Sequence, residues 1–254
     1  MKKNYQPEPY WSEVAGRIAS RADQNIIAGD DEPFYDYKRA RLLEMLDTVD
    51  FTGRSVLEIG PGPGGNLAFI STKNPARLVG ADISQDMLGL AGKNLAGKEV
   101  ELFKTNGTVL PFEDNTFDIV ITVTVLQHNT DEQMLLALIK EISRVSKDQV
   151  IIFEQTHTSM KGDELCYWRP VSHYENAFQQ NNFALKETLY SNIYTSYLVC
   201  GAIRKLLNPK TREEGEPLNK LSIFLENATL PVTKQLDKII TPATDLTKLV
   251  FAKE

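Results

Sequence analysis

The run Ser55-Val-Leu-Glu-Ile-Gly-Pro-Gly-Pro-Gly-Gly-Asn66 constrains this chain more than any other. Val56 to Ile59 reads as a short buried parallel strand. Gly60, Gly62, Gly64 and Gly65 follow at once, and Asn66–Ser71 reads as the first turns of a helix. Strand, glycine turn and helix in this order bring the backbone close to a ligand and aim helix N–H groups at it. That is the layout of a nucleotide-type cofactor site.

Glu58 lies inside the strand, two residues before the first glycine. An ionised carboxylate is costly to bury without partners, so it belongs near the strand's end, serving a polar or cationic ligand. With it, Glu58-x-Gly60-x-Gly62-x-Gly64 resembles the first motif of the class I (seven-stranded, Rossmann-like) S-adenosylmethionine-dependent methyltransferases. Gly60, Gly62 and Gly65 also satisfy G-x-G-x-x-G, with Asp82 placed 17 residues after Gly65, against the roughly 20 usual in dinucleotide enzymes. A nicotinamide-dependent oxidoreductase therefore stays open as an alternative.

Arg77–Ser84 reads as a second strand, with Asp82 at its carboxyl end, the edge where ligands bind in open α/β sheets. A carboxylate there can accept both ribose hydroxyls of an adenosine group, and Ser84 is placed to cap a helix over 85–96. Asp82-x-Ser84-x-x-Met87-Leu88 is similar to the family's pattern, which implies the acid on the ribose and an apolar side chain against adenine. A third strand over Glu99–Lys104 ends in Thr105-Asn106-Gly107-Thr108. The family carries an acid near Asn106; the Asn oxygen can accept the same bond. The cofactor-binding set implied by the resemblance is Glu58, Gly60, Pro61, Gly62, Gly64, Asp82, Ile83, Met87, Asn106, Gly107, Thr108, Thr124 and Gln127.

Leu110-Pro-Phe-Glu-Asp-Asn-Thr-Phe-Asp118 leads into a fourth strand over Ile119–Val123 and resembles the block before strand four of many small-molecule methyltransferases. Dehydrogenases have no reason to carry it. The strand runs out into Thr122-Val-Thr-Val-Leu-Gln-His-Asn129, where His128 can take a proton from a substrate hydroxyl or shape the loop. The Asn/Asp-Pro-Pro-aromatic motif of base-amino methyltransferases is absent. Asp131 caps an amphipathic helix to Val145, with Glu141 and Arg144 paired along it. A fifth strand, Gln149–Phe153, ends in Glu154-Gln-Thr-His157, which puts an acid and a second histidine on the functional edge.

Upstream, residues 1–10 read as extended, Trp11 to about Ala22 as a helix capped by Ser12, and Tyr35 or Asp36 to Asp47 as a second helix. In the latter, Ala40, Leu43, Met45 and Leu46 face inward, and Lys38, Arg39 and Arg41 mostly outward. Tyr10, Trp11, Tyr35 and Tyr37 are candidates for lining the site. Downstream, 158–171 reads as a loop over the pocket, with Arg169 free for an acidic group or for capping. His173 opens a helix, and Phe183–Tyr190 is strand six. Tyr194–Leu207, 218–228 and 232–240 read as helices around a 208–217 linker, and Leu246–Ala252 closes the sheet. The resemblance implies that this last strand runs antiparallel between strands five and six.

The expected architecture is an α/β, doubly wound, mostly parallel seven-stranded sheet. The single domain 1–254 divides into N-terminal helices over the cofactor (1–49), a cofactor-binding core (50–193), a helical cap insertion (194–244) and a closing strand (245–254). A net charge of −6 gives no basic footprint for nucleic acid. Cys166 and Cys200 form neither a disulfide framework nor a zinc motif, and no window approaches a membrane span. A cytoplasmic protein without stable membrane insertion is expected, and no metal is called for. The reading is S-adenosylmethionine-dependent methylation of a small-molecule acceptor, with oxygen as the favoured target, S-adenosylhomocysteine as product and His128, His157 or His173 as base. Two further alternatives are a lipid or quinone methyltransferase, resting on a membrane through the 194–207 segment with Arg204 and Lys205, and a non-catalytic S-adenosylmethionine-binding protein.

Overall fold

The computed structural model describes residues 6–21, 32–213 and 215–254. Helices α1 (Pro7–Ala19) and α2 (Pro33–Leu46) precede β1 (Ser55–Ile59), α3 (Gly65–Ile70), β2 (Arg77–Asp82), α4 (Gln85–Asn94), β3 (Glu101–Lys104) and β4 (Phe117–Val123). Then come α5 (Glu132–Val145), β5 (Ser146–Thr156), the two-residue strands β6 (Lys161–Gly162) and β7 (Tyr167–Trp168), α6 (Val171–Gln179) and β8 (Phe183–Tyr190). Helices α7 (Tyr194–Leu207) and α8 (Lys220–Leu236) and strand β9 (Asp245–Lys253) complete the chain.

Seven strands form one sheet in the order β3-β2-β1-β4-β5-β9-β8. The first five are mutually parallel, and β9 runs antiparallel between β5 and β8, as the resemblance implies. Strand order reverses between β1 and β4, so the crevice at their carboxyl ends is the topological switch point where ligands bind in such sheets. Both faces of the sheet are covered: Leu57 and Ile59 of β1 pack with α5 and α6, and Val56 packs with α2, α3 and α4. Leu135, Leu138, Ile139, Ile142 and Val145 form the buried stripe of α5, at the spacing an amphipathic helix requires.

Several local expectations are corrected. Helix α1 starts at Pro7, with Gln6 as its N-cap, because first-turn prolines lack only N–H groups that would be unpaired anyway. Ser12 is therefore not a cap; its hydroxyl lies 3.1 Å from that of Ser84. Ala22, the expected helix end, lies outside the described residues. In α2, Ala40 is exposed while Phe34, Leu42, Met45 and Leu46 are buried, so the inward face is rotated from the one expected. The two helices expected over 218–240 are a single helix, α8, with Pro231 inside it. Proline removes one backbone bond, yet buried Glu226, Leu230, Thr233 and Asp237 hold the helix on both sides of it.

Candidate functional site

The turn after β1 is held by backbone and by β2. Gly60 (φ +68°) donates its N–H to Ala81 O at 2.8 Å, and a Cβ there would stand 2.5 Å from Val125 Cγ2. Only glycine lets the loops after β1 and β4 approach so closely. Asp82 ends β2 almost fully buried, its two oxygens accepting N–H groups of Ser84 (2.8 Å) and Gly62 (3.3 Å). Burial pushes its carboxyl up to about 6. A carboxylate has about four acceptor sites, so lone pairs remain on a group that lines the cavity.

Glu58 is fully buried behind that wall. Its Oε1 accepts from Asn66 Nδ2 at 2.7 Å, and Asn66 Oδ1 accepts from Arg39 at 2.8 Å. Glu58 Oε2 has no hydrogen-bond partner among the described residues, and burial pushes the acid up to about 7. Asn66 and Arg39 themselves line the cavity, which makes this a relay from a buried acid to the site.

The opposite wall is the turn that follows β4. Thr124 has φ +55°, a left-handed conformation costly for a β-branched residue, and the short 3₁₀ turn Leu126–His128 comes next. Glu154, fully buried at the end of β5, accepts the N–H groups of Val125, Leu126 and Gln127 at 3.1, 2.9 and 3.0 Å. Burial raises this acid to about 7, opposed by those three bonds. Arg169, 1% exposed, takes the other end of the turn by donating to Leu126 O (3.2 Å) and Asn129 O (2.7 Å). The turn is thus clasped between a buried acid at its N–H end and a buried base at its carbonyl end. Arg169, offered above for an acidic ligand, is occupied here.

This clasp presents Gln127 and His128. Gln127 Oε1 accepts from Gln155 N at 2.9 Å, which turns its Nε2 toward His128 Nε2, 3.4 Å away. His128 Nδ1 lies 2.9 Å from Leu165 O and has to donate there. Both contacts assign one tautomer, with Nδ1 protonated and Nε2 an acceptor. Trp11 meets the imidazole edge to face at 5.1 Å.

These walls enclose a cavity of about 550 Å³. Of the residues anticipated from sequence, Gly60, Gly62, Asp82, Ile83, Met87, Gly107, Thr124, Gln127 and His128 line it. Glu58 reaches it through Asn66. Pro61, Gly64, Asn106 and Thr108 lie outside the lining; Asn106 Oδ1 instead accepts from the N–H groups of Thr108 and Val109 within its own turn. His157 and His173 also lie outside. His157 contacts Ser159, and His173 Nε2 stands 2.9 Å from Glu132. The remaining lining mixes polar residues, Lys38, Arg39, Asn66 and Asp163 among them, with an aromatic wall of Tyr10, Trp11, Tyr35, Trp168 and Tyr197; Tyr37 is not part of it. Asn66 and Arg39 went unrecognised in the sequence. The spacing Tyr35, Lys38, Arg39, Leu42 was the available signal, since it marks one face of α2.

The comparisons agree with this geometry. Residues 56–149 match a methyltransferase domain family model. A demethylmenaquinone methyltransferase from Lactococcus lactis is 32% identical over 156 residues, covering 58% of this chain and 59% of that protein. The chain spans less than two thirds of the length of the first curated relatives it matches. An S-adenosylmethionine-dependent methyltransferase from Mesorhizobium loti shares the fold at TM-score 0.54 and 14% identity, covering 89% of this chain and 99% of that one. The magnesium protoporphyrin IX methyltransferase of Synechocystis PCC 6803, solved with bound S-adenosylhomocysteine, has TM-score 0.52 at 18% identity, covering 70% and 86%. Residues 56–149 thus match a methyltransferase domain, and the chain has the class I, Rossmann-like fold of S-adenosylmethionine-dependent methyltransferases.

Proposed function

We propose that this protein transfers a methyl group from S-adenosylmethionine to an oxygen of a small, largely apolar acceptor, with His128 as the general base. The observation that carries the reading is His128 itself, the one histidine among the three that lines the cavity, with Nδ1–H held by Leu165 O and Nε2 the unprotonated nitrogen, turned to the Gln127 amide.

The residues present fit the cofactor. Glu58 Oε2 is a buried acceptor in want of a donor, and Asp82 keeps lone pairs on the cavity wall. Asp82 would hold the ribose hydroxyls, Ile83 and Met87 would pack on adenine, and the Gly60–Gly62 backbone with Thr124 and Gln127 would take the methionine part. Glu58 would act through Asn66 on the cofactor's cationic end. When bound, the cofactor supplies an electrophilic methyl on a sulfonium. What remains for the chain is to align the acceptor and take its proton where that acceptor is a hydroxyl. The aromatic wall would orient a flat or apolar acceptor and exclude water; His128 Nε2 would receive the proton while Leu165 O retains Nδ1–H.

A lipid or quinone acceptor is the second reading. Five aromatic side chains in the lining support it, as does the printed name of the Lactococcus lactis relative. Calorimetric titration with S-adenosylmethionine, S-adenosylhomocysteine and NADH, followed by methyl uptake from labelled cofactor across hydroxylated aromatics and short-chain quinols, tests both. Binding of NADH without the sulfur compounds would overturn the methyl-transfer reading, and cofactor binding with no uptake by any acceptor would favour a non-catalytic binder.

A further inference from the structure

Helix α8 is built inside out. Its buried positions include Ser222, Glu226, Thr233 and Asp237, and all four are partnered. Glu226 pairs with Arg204 at 2.5 Å, Asp237 accepts the N–H groups of Thr195 and Ser196 at the start of α7, and Thr233 and Ser222 bond Ser196 and Asn208. The outer face is mainly apolar instead: Leu221, Phe224, Val232, Leu236 and, in the turn beyond the helix, Ile239 are exposed, with Gln235 the polar residue among them and Asn227 at their edge. They recur at intervals of three, eight, four and three, which keeps them on one stripe about 27 Å long at 1.5 Å per residue. Phe224 is 66% and Ile239 78% exposed.

Large apolar groups gain nothing from facing water, so a stripe of this length, backed by polar packing, needs an apolar partner. The charges define which one. Over a chain of net charge −6, the exposed charged residues of α8 and its following turn are Lys220 and Lys238. The end of α7 adds exposed Lys205 beside Leu206, itself 81% exposed. An apolar stripe with a lysine border matches the interface of a bilayer containing anionic lipid. Among the described residues no helix is long and apolar enough to cross a membrane, so the fit is to lying on the surface.

We infer that the α7–α8 face docks this protein on an anionic bilayer surface. Arg204, proposed from sequence as part of the membrane contact, is instead engaged, half-buried, by the buried Glu226. The exposed side of α7 continues from Leu198 to Tyr197, which lines the cavity together with Trp168 and Leu165. Docking would therefore set the cavity mouth at the lipid boundary. That last consequence, delivery of an apolar acceptor from the bilayer, rests on the methyl-transfer reading; the docking does not.

Flotation of the full chain with vesicles of phosphatidylcholine and phosphatidylglycerol, against pure phosphatidylcholine, tests it. The protein should float with the mixed vesicles, bind the neutral ones several-fold less, and lose at least about tenfold in partitioning in the double variant Phe224→Gln/Ile239→Gln, from two apolar side chains removed from the contact. An unchanged melting temperature and unchanged S-adenosylmethionine affinity in solution would show that the variant is folded. Equal flotation of variant and parent, or equal binding to both vesicle types, overturns the inference. So does absence of flotation; where the parent then forms a concentration-dependent dimer that the variant does not, the stripe joins two copies of the chain. Failure of both proteins to bind the cofactor would sink the methyl-transfer reading without touching the flotation result.

Discussion

Gln127 and His128 orient one another: the Gln127 amide oxygen is spent on Gln155 N–H at 2.9 Å, so its NH₂ faces His128 Nε2 at 3.4 Å. With Leu165 O on the other ring nitrogen, the imidazole has one tautomer, Nδ1–H donating to Leu165 and Nε2 accepting from Gln127. Replacing His128 by Ala should lower kcat by about 10²–10⁴ with a hydroxyl acceptor. Cofactor affinity measured by calorimetry should hardly change. A normal rate in the variant removes His128 as the base.

Asp82→Ala should weaken S-adenosylmethionine binding by about 1–3 kcal/mol, the cost of losing charged hydrogen bonds. Calorimetry reads this directly. Unchanged affinity would refute the ribose assignment.

Glu58 predicts a pH dependence. Burial raises its folded-state pKa from 4.5 to about 7, so the folded protein holds this proton more tightly than the unfolded one. The contribution to stability is fully present below about pH 4.5 and is lost as pH rises through 7, amounting to about 3 kcal/mol. In urea unfolding of the ligand-free protein, Glu58→Gln should flatten the decline between pH 5 and 7.5 relative to the parent. Parallel curves for the two proteins would mean that Glu58 keeps its charge at little cost.

Arg169→Gln should destabilise the fold by about 1–3 kcal/mol, since it opens one side of a buried clasp, takes the side-chain donor from Asn129 O and leaves Leu126 O with the Asn129 N–H alone. Urea midpoints measure the loss. Because that turn carries His128, kcat should fall together with stability.

Gly60→Ala should cost about 1–3 kcal/mol through its left-handed φ and the 2.5 Å approach to Val125. Adding Val125→Ala should recover the steric part and leave the backbone part. No recovery in the double variant would place the whole cost in φ.

Much of the scaffold was legible because local chemistry writes it. The glycine turn at 60–65, the Ser84 cap that accepts Met87 N–H, the Asp131 cap that accepts Met134 N–H and the apolar stripe of α5 each depend on residues within a few positions of one another. The site was legible in part. Position along the chain put three histidines near the functional edge, but His157 contacts its own loop and His173 turns to Glu132 on α5.

By itself the sequence determined the alternation of strands and helices, the turn that brings backbone to a ligand, and the acid at the end of β2. Those follow from periodicity, capping and glycine's backbone freedom, which act over short distances along the chain. Only the tertiary structure decided that Glu154 and Arg169 clasp one turn from opposite ends, that Arg39 reaches Glu58 through Asn66, and that α8 turns its polar side inward. Each joins residues distant in sequence, and each depends on which polar groups burial leaves in need of a partner; spacing along the chain does not encode that.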